Sequence, residues 1–373
     1  MKIALSCHPS QGGSGIVATE LALTLADRGH EVHMVSCDRP YRLGESKLVH
    51  YHKVNMPEYP LFKYPPHDLS LVNKLAEITC EHHIDIIHAH YAVPHAICAI
   101  LAHHVIQPHP VKVIATMHGT DITLVGSHPD FYRICRYTML KCDGLTTVSK
   151  WLKDRTLKEF NITREPEVIY NFFDPSLFNP EGRIHYPDGE PFQVMHVSNF
   201  RPVKRTADVI RVFYEIQKQV PAHLTLVGEG PDLGLARELC AELGFCDKVT
   251  FAGSTVNIES IFKQSHLFLL LSDYESFGLS ALEAMACGTP VAVSCSGGLT
   301  EVVQDEKTGL LCAVGDISTI ANRAVKLLTN KRKWEGMSRH AAQSARESFS
   351  ADIIVSEYEA YYEKVLTNSK EDI

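Results

Sequence analysis

Strand-sized apolar runs alternate with segments of helical periodicity along almost the whole chain, and this alternation occurs twice. The first series begins at Lys2–Cys7, and a second series begins at Phe192 after an interruption. In the second series Val209, Val212 and Ile216 recur at the spacing of one helix face. Strands separated by helices of about 10–15 residues form parallel sheets, because each helix carries the chain back across one face. The sequence therefore predicts an α/β fold with two doubly wound, Rossmann-like domains.

Proline and glycine crowd the interruption between the two series. Residues 172–191 contain four prolines and two glycines, a density that stops both helices and strands. We therefore expect a linker at 172–191, with one domain before it and another from residue 192 onward. Sheets of this kind bind ligands at the carboxyl ends of their strands, so two such domains facing each other would share a central cleft.

The composition is that of a soluble globular chain. Of the 373 residues, 45% are apolar and 21% are charged, and no apolar run approaches the ~18–20 residues of a membrane-spanning helix. The first residues resemble a strand rather than the long apolar region of a signal peptide. The eleven cysteines form no CxxC pair, which disfavours a disulfide framework. We expect a cytoplasmic protein with reduced thiols.

Charge narrows the class of partner. Residues 1–165 carry 17 basic and 16 acidic side chains, whereas residues 166–373 carry 19 basic and 28 acidic ones. The sequence contains neither a basic stripe of the kind that binds nucleic acid nor a basic amphipathic segment of the kind that binds a membrane surface. Small-molecule substrates are therefore expected, with no nucleic acid and no membrane as partner. The sequence leaves open whether the chain forms a homo-oligomer.

Two glycine clusters follow predicted strands. Gly12-Gly13-Ser14-Gly15 lies between the first strand and the first helix, where backbone N–H groups can approach an anion. Its spacing matches neither the P-loop nor the dinucleotide fingerprint, which disfavours ATP hydrolysis and NAD binding. The second cluster, Gly228–Gly234, also departs from the dinucleotide spacing and is interpreted as structural.

Histidine is abundant, with 21 residues, but no ligand motif accompanies it. His88 and His90 would lie on one face of a strand, yet no HExxH or DxD sequence is present, so no metal site and no metal cofactor are predicted. His118 ends an apolar strand and is followed by the turn Gly119–Asp121. That position, at the carboxyl end of a strand, is one where such folds place their chemistry.

Two segments of the second series suit a phosphorylated ligand. Residues 198–205 bring Arg201, Lys204 and Arg205 to one strand–helix junction, a cation density that favours a diphosphate. Residues 275–283 follow a fully apolar strand and open a helix at Gly278, whose following N–H groups can reach a phosphate or a sugar hydroxyl. The carboxylate of Glu283 lies about one turn further on and can bind a vicinal diol.

Glu275 and Glu283, with seven residues between them that include Phe-Gly-Leu, resemble the signature of the retaining glycosyltransferases of family 4. That family has the GT-B fold, in which two Rossmann-like domains face a central cleft. Further matching segments are spread over the chain: 12–15, 85–91, 118–121, 171–174, 201–205 and 228–231. In this fold the last helix returns to the first domain. The resemblance thus implies an N-terminal domain of 1–171 plus 351–373 and a C-terminal domain of 192–350.

The resemblance also assigns roles to individual residues. Lys204 would hold the diphosphate, and Glu283 would hold the ribose hydroxyls of UDP. The family's Gly-Arg pair falls at Ser198-Asn199, so its arginine is absent and Arg201 or Arg205 would replace it. His118 would contact the transferred sugar and is grouped with Lys204 and Glu275 as catalytic. The remaining donor-binding residues implied are Gly13, Ser14, Gly15, Asn199, Phe277, Gly278 and Leu279.

Cys7–Gly15, Phe62–Pro66 and Val197–Arg201 are most similar to those family members that move N-acetylglucosamine from UDP-GlcNAc to the hydroxyl of L-malate, the first step of bacillithiol biosynthesis. That reaction would need no cofactor, since the leaving diphosphate can be neutralised by Lys204 and helix-end amides. Malate is a dianion, so its site needs donors and a cation. The acceptor-binding residues suggested are Ser14, Lys63, Tyr91, Thr120 and Arg136.

Two alternatives remain from the sequence. One is a family 4 enzyme with another acceptor, such as an inositol phosphate or a lipid, although the near-neutral first domain disfavours a lipid. The other is a catalytically idle protein that binds a nucleotide sugar. The presence of Glu275, Lys204, His118 and Glu283 together disfavours the idle protein.

Overall fold

The computed structural model describes residues 1–10, 12–56, 64–187, 189–255 and 257–367, and divides them into two compact units. The first unit consists of Met1–Asn171 and the chain from Ala351 onward, and the second is Phe172–Ser350. Each unit has its own parallel sheet, so the predicted pair of doubly wound domains is confirmed. Within the described ranges, every helix is too short or too polar to span a bilayer.

The first unit contains a seven-stranded sheet in the order β3-β2-β1-β4-β5-β6-β7. Its strands are β1 (Lys2–Ser6), β2 (Glu31–Ser36), β3 (Val49–Lys53), β4 (Ile86–His90), β5 (Lys112–Met117), β6 (Gly144–Thr147) and β7 (Glu167–Val168). Its first six helices are α1 (Gly13–Asp27), α2 (His67–His82), α3 (Ile97–Val105), α4 (Thr120–Thr123), α5 (Pro129–Lys141) and α6 (Lys150–Phe160). The strand order reverses between β1 and β4, which places a topological switch point at their carboxyl ends.

The second unit repeats the architecture with six strands in the order β10-β9-β8-β11-β12-β13. These are β8 (Phe192–Val197), β9 (Ala222–Val227), β10 (Val249–Gly253), β11 (Leu267–Leu270), β12 (Val291–Ser294) and β13 (Gly309–Cys312). The helices are α7 (Thr206–Gln217), α8 (Leu233–Glu242), α9 (Ile258–Lys263), α10 (Leu279–Ala286), α11 (Leu299–Val302), α12 (Ile317–Leu328) and α13 (Lys331–Phe349). The switch point lies between β8 and β11.

Helix α14 (Ala351–Thr367) follows the second unit in sequence but packs on the first. Tyr358 and Tyr362 on this helix are fully buried, and the Tyr362 hydroxyl lies 2.7 Å from His88 Nδ1 in the central strand β4. On the outer side Glu359 pairs with Arg28 at 2.6 Å. The helix is therefore held by an aromatic face and by an ion pair at its edge.

The segment 172–191, expected to be a linker, belongs to the body of the second unit. Phe172, Phe173 and Phe178 are buried, and the Tyr186 hydroxyl donates to the carbonyl of Leu328 at 2.6 Å. Proline and glycine keep its described residues out of regular helices and strands, as predicted. The aromatic side chains nevertheless attach the segment to the core, because their apolar area is more favourably buried than left in water.

Candidate active site

An ion pair lies at the switch point of the second unit. Lys204 ends a short 3₁₀ turn after β8, and Glu275 lies in the loop between β11 and α10. Lys204 Nζ donates to Glu275 Oε1 at 2.6 Å, and the Ser272 hydroxyl donates to the same oxygen at 2.7 Å. The two charged side chains are 20% and 12% exposed, so the pair is shielded but still reachable from solvent. The structure thus brings together two residues that the sequence placed 71 positions apart.

The two arginines beside Lys204 differ in their partners. Arg205 is bound on both sides, at 2.8 Å to Asp273 and at 2.6 Å to Asp208. Arg201 is half-buried, and its guanidinium forms no hydrogen bond or ion pair with any residue in the described part of the chain. An arginine whose donors are already taken by carboxylates is a poor anion ligand. Of the two candidates left open by the sequence, Arg201 is therefore the one with free donors.

Helix α10 begins at a glycine that no other residue can replace without strain. Gly278 has φ 95°, and a Cβ there would lie 2.4 Å from Leu299 Cδ2. No side chain of the described ranges caps this helix end, so its first N–H groups remain available to an anion. Phe277 is buried with its ring edge against Phe349, at 5.6 Å between centroids. The loop that carries Glu275 is anchored by this aromatic contact.

Glu283 lies inside α10 and is only 5% exposed. An amphipathic surface helix would instead turn this residue to water. Burial of a carboxylate costs free energy unless the charge is paired or hydrogen-bonded. The buried position of Glu283 therefore indicates that polar groups surround its carboxylate.

A pair of glycines that the sequence analysis did not single out shapes the same loop. A Cβ on Gly297 would lie 2.0 Å from the carbonyl oxygen of Glu275, and one on Gly298 would lie 2.3 Å from that of Ser276. The Gly298 N–H donates to the Glu275 carbonyl at 2.8 Å. The sequence signal for them was a pair of adjacent glycines in the loop that follows the buried strand β12. Their role, however, depends on a loop more than twenty residues earlier in the chain, which only the fold brings close.

The glycines after β9 support the turn that carries Asn199. A Cβ on Gly228 would lie 1.9 Å from the carbonyl oxygen of Ser198, and one on Gly230 would lie 1.9 Å from that of Asn199. These contacts agree with the structural interpretation of that cluster. Asn199 itself is exposed.

His196 is a further residue that sequence reasoning missed, since nothing distinguishes it within its strand. It is fully buried in β8, with Nδ1 2.9 Å from the Leu269 carbonyl and Nε2 2.8 Å from the Ser198 hydroxyl. Burial lowers the pKa of His196 to about 4, so the ring is neutral at pH 7. The ring therefore donates to Leu269 and accepts from Ser198, which orients the turn leading to Lys204.

In the first unit, His118 follows the end of β5 as predicted. It is buried, its Nε2 lies 2.8 Å from His90 Nδ1, and its ring stacks on Tyr91 with 5.8 Å between centroids. Burial lowers the pKa of His118 to about 3, so it can act as a neutral hydrogen-bonding group but not as a cation at pH 7. The structure thus places two predicted residues, His118 and Tyr91, in contact.

Asp121 fixes the backbone of the turn after His118. Its carboxylate accepts the N–H of His118 at 3.1 Å and that of Gly119 at 2.7 Å. Burial raises the pKa of Asp121 to about 6, although these backbone hydrogen bonds oppose that rise. Thr120 is the first residue of α4, so it is positioned by the same turn.

Among the residues that the structure describes, no side chain caps α1, which begins at the glycine turn after β1. A Cβ on Gly15 would lie 2.6 Å from the carbonyl oxygen of Ser10 and 2.7 Å from that of His8, which explains the glycine there. Gly13 and Ser14 form the first helical turn, at the carboxyl end of β1. They therefore lie at the switch point of this unit, beside β4.

Arg136, suggested as a cation for malate, has a structural partner. Its Nε donates to the carbonyl of Phe160 at 3.0 Å, at the end of helix α6. Cations stabilise the carboxyl end of a helix, so this contact accounts for Arg136 without a ligand. Lys63, the other suggested cation, lies outside the described residues.

Comparison with known proteins places both halves of the chain in one family. A family model described as "Glycosyltransferase Family 4" matches residues 11–177, and one described as "Glycosyl transferases group 1" matches residues 181–347. The chain is 40% identical over 376 residues to N-acetyl-alpha-D-glucosaminyl L-malate synthase from Bacillus anthracis, which covers 99% of this chain and 98% of the relative. It is 26% identical to D-inositol 3-phosphate glycosyltransferase from Stackebrandtia nassauensis, which covers 92% and 86%.

Solved structures share the fold over the full length. HepE of Anabaena in complex with UDP-glucose matches with a TM-score of 0.82 at 19% identity, covering 98% of this chain and 100% of that one. Sucrose-phosphate synthase from Thermosynechococcus elongatus matches with a TM-score of 0.81 at 21% identity, covering 99% and 100%. With these neighbours, with two parallel-sheet units and with a relative of 40% identity, the chain belongs to the family 4 glycosyltransferases and has the GT-B fold.

Proposed function

We propose that the protein transfers N-acetylglucosamine from UDP-GlcNAc to the hydroxyl of L-malate, giving GlcNAc-malate and UDP with retention at the anomeric carbon. The proposal is supported by the 40% identity over nearly the whole chain to a GlcNAc-malate synthase. The observation in the site that carries it is the contact of Lys204 with Glu275 at the switch point of the second unit.

The donor would bind to the second unit. Lys204 and the free donors of Arg201 would neutralise the diphosphate, and the amides of Phe277, Gly278 and Leu279 would contact the sugar or the phosphate. The buried carboxylate of Glu283 would accept both ribose hydroxyls in charge-assisted hydrogen bonds. Asn199 would line the same site. Gly13 and Gly15 of the first unit are further donor-binding candidates, because glycine lets a ligand approach the backbone closely.

The chemistry would proceed on one face of the sugar. The bond from the anomeric carbon to the diphosphate oxygen breaks, and the malate hydroxyl forms its bond on the same side. The proton of that hydroxyl passes to the leaving diphosphate, whose growing charge Lys204 stabilises. Because two side chains and helix-end amides carry that charge, we propose that transfer needs no metal ion. The neutral ring of His118 would hydrogen-bond a hydroxyl of the sugar.

The acceptor would bind to the first unit. Ser14 and Thr120 offer hydroxyl and backbone donors beside the strand ends, and Tyr91 stacks on His118. For the malate charge, Lys63 and Arg136 stay candidates. Arg136 is the weaker of the two, since its Nε already serves the end of α6.

The decisive experiment measures UDP release from UDP-GlcNAc with L-malate, an inositol phosphate or water as acceptor, and assigns the anomeric configuration of the product by NMR. We expect rapid release with malate alone, an α-linked product, and the same rate in excess EDTA. Faster turnover with the inositol phosphate than with malate would identify the inositol phosphate as the acceptor. UDP-GlcNAc binding without release under any condition would favour an idle binding protein.

A further inference from the structure

A cluster of histidines lies in the first unit, away from the residues assigned to donor and acceptor. It is formed by His33 on β2, His52 on β3 and His82 at the end of α2. One ring nitrogen from each lies within 4.8 Å of the corresponding nitrogens of the other two. We name this group the histidine cluster. Its members are 19 to 49 residues apart in sequence. In the parallel pair β2–β3, His33 lies opposite His50, so His52 lies two residues further along β3 on the same face.

The position of the histidine cluster separates it from the transfer chemistry. His33 is the third residue of β2, and the carbonyl of His82 accepts a hydrogen bond from Lys2, the first residue of β1, at 3.0 Å. The histidine cluster therefore lies on β2 and β3 at one edge of the sheet, and β1 and β4 separate it from β5, which His118 follows. The switch point and His118 lie at the carboxyl ends. A ligand here would be separate from the substrates.

The geometry is that of ligands held ready for a metal. His33 Nδ1 lies 2.8 Å from His52 Nε2, and the rings of His33 and His82 are 4.3 Å apart between centroids. A tetrahedral zinc ion, with Zn–N bonds of about 2.0–2.1 Å, holds two nitrogens roughly 3.3 Å apart. Small rotations of the half-buried His52 and His82 would open that distance around the fully buried His33.

A carboxylate completes the arrangement. Glu31 Oε1 lies 3.1 Å from His33 Nε2, and because a carboxylate only accepts, that nitrogen carries the proton. The lone pair of His33 is then on Nδ1, which faces His52. Carboxylates in this position fix the tautomer of metal-binding histidines and raise their basicity. Burial lowers the pKa of His33 and lowers that of His52 to about 4, so both rings are in the neutral form that metals require.

From the three converging imidazoles and the carboxylate behind one of them, we propose that the histidine cluster binds one divalent transition metal, with Zn²⁺ as the natural occupant and water as its fourth ligand. Imidazole nitrogen favours zinc over the harder magnesium and calcium ions, which prefer oxygen. The ion would replace the proton now lying between His33 and His52, and that proton would move to the other nitrogen of His52. The bound ion would fasten β3, the edge strand of the sheet, to β2 and α2.

The test uses the full chain without an affinity tag, freed of metal by dialysis against a chelator. Zn²⁺ is titrated in competition with a chromophoric chelator, and the melting temperature is followed with and without the ion. Variants are His52→Gln and His82→Gln, both at half-buried positions, and Glu31→Gln behind the cluster. His104→Gln, at an exposed position on α3 of the same unit, is the matched control.

We expect one equivalent of Zn²⁺ to bind the wild type and the control with equal affinity and to raise the melting temperature of both. His52→Gln and His82→Gln should each weaken binding at least about tenfold and lose the thermal shift, and Glu31→Gln should weaken it by about tenfold. Equal Zn²⁺ affinity in the wild type and both histidine variants would overturn the proposal, since the ion would then bind elsewhere among the 21 histidines.

Discussion

At the scale of single residues, Glu283 offers the clearest test of donor binding. Its burial within α10 fits a carboxylate that holds the two ribose hydroxyls of UDP better than it fits a surface residue. Glu283→Gln keeps the volume but removes the charge from two hydrogen bonds, each worth about 1.5–3 kcal/mol. We expect UDP to bind about 10- to 100-fold more weakly, measured by calorimetric titration.

The exposed Glu238 on α8 provides the control for that measurement. Glu238→Gln should bind UDP like the wild type. A dissociation constant of Glu283→Gln equal to that of the control would remove Glu283 from the donor site.

Lys204 is expected to act on the transition state. The positive charge of Lys204 stabilises the diphosphate more strongly as the diphosphate becomes more negative on leaving. Lys204→Ala should therefore lower kcat by a larger factor than it raises KM for the donor. Steady-state kinetics at varied UDP-GlcNAc separate the two effects. Lys218→Ala, at a surface ion pair with Glu215 just after the end of α7, should change neither. A rise in KM alone would assign Lys204 to ground-state binding.

The two neighbouring arginines should respond in opposite ways. Arg201→Ala removes free donors, so it should reduce turnover at least about tenfold while leaving the melting temperature nearly unchanged. Arg205→Ala breaks its pairs with Asp208 and Asp273, so it should lower the melting temperature with a smaller effect on turnover. Assays of both variants under the same conditions decide which arginine binds the diphosphate. If Arg205→Ala loses more activity than Arg201→Ala, the assignment passes to Arg205.

At the scale of elements, the start of α10 depends on Gly278. Gly278→Ala would force a Cβ into left-handed backbone and to within 2.4 Å of Leu299. Backbone strain and overpacking together should cost about 2–4 kcal/mol of unfolding free energy. Gly234→Ala is the matched control, because a Cβ there would lie more than 4 Å from every atom of the described residues other than its chain neighbours and its own helix backbone. Urea denaturation of both should show a loss for Gly278→Ala only, and equal midpoints would show that the turn relaxes freely.

At the scale of the whole molecule, buried neutral histidines should make the protein sensitive to acid. Burial lowers the pKa to about 3 for His88 and His118 and to about 4 for His196 and His266. The unfolded chain takes up these protons near pH 6.5 and the folded protein does not, so folding loses stability as pH falls from about 6.5 toward 4. Asp121, with its pKa raised to about 6, works in the opposite direction but is a single group.

Calorimetric melting temperatures between pH 7.5 and pH 5 test this expectation. We expect a steady decline, with net proton uptake on unfolding at pH 5.5 when buffers of different ionisation enthalpy are compared. A melting temperature that rises on acidification would mean that these histidines are charged in the folded protein.

The sequence by itself determined the two parallel sheets and the family, and it supplied the candidate site residues, because these depend on local patterns. Apolar runs of strand length alternate with helical periods, and candidate residues such as His118, Lys204 and Glu275 lie in the segments that follow those strands. The packing of residues 172–191 against the second unit was not predictable in the same way, because the positions of prolines and glycines predict only the local backbone conformation.

Only the tertiary structure decided which of these residues touch. The contact between Lys204 and Glu275, the engagement of Arg205 but not Arg201, the close approach of Gly297 to Glu275 and the convergence of His33, His52 and His82 all join distant parts of the chain. All four contacts escaped prediction from the sequence for the same physical reason. Strand register and loop packing set such distances to within an ångström, and neither composition nor periodicity carries that information.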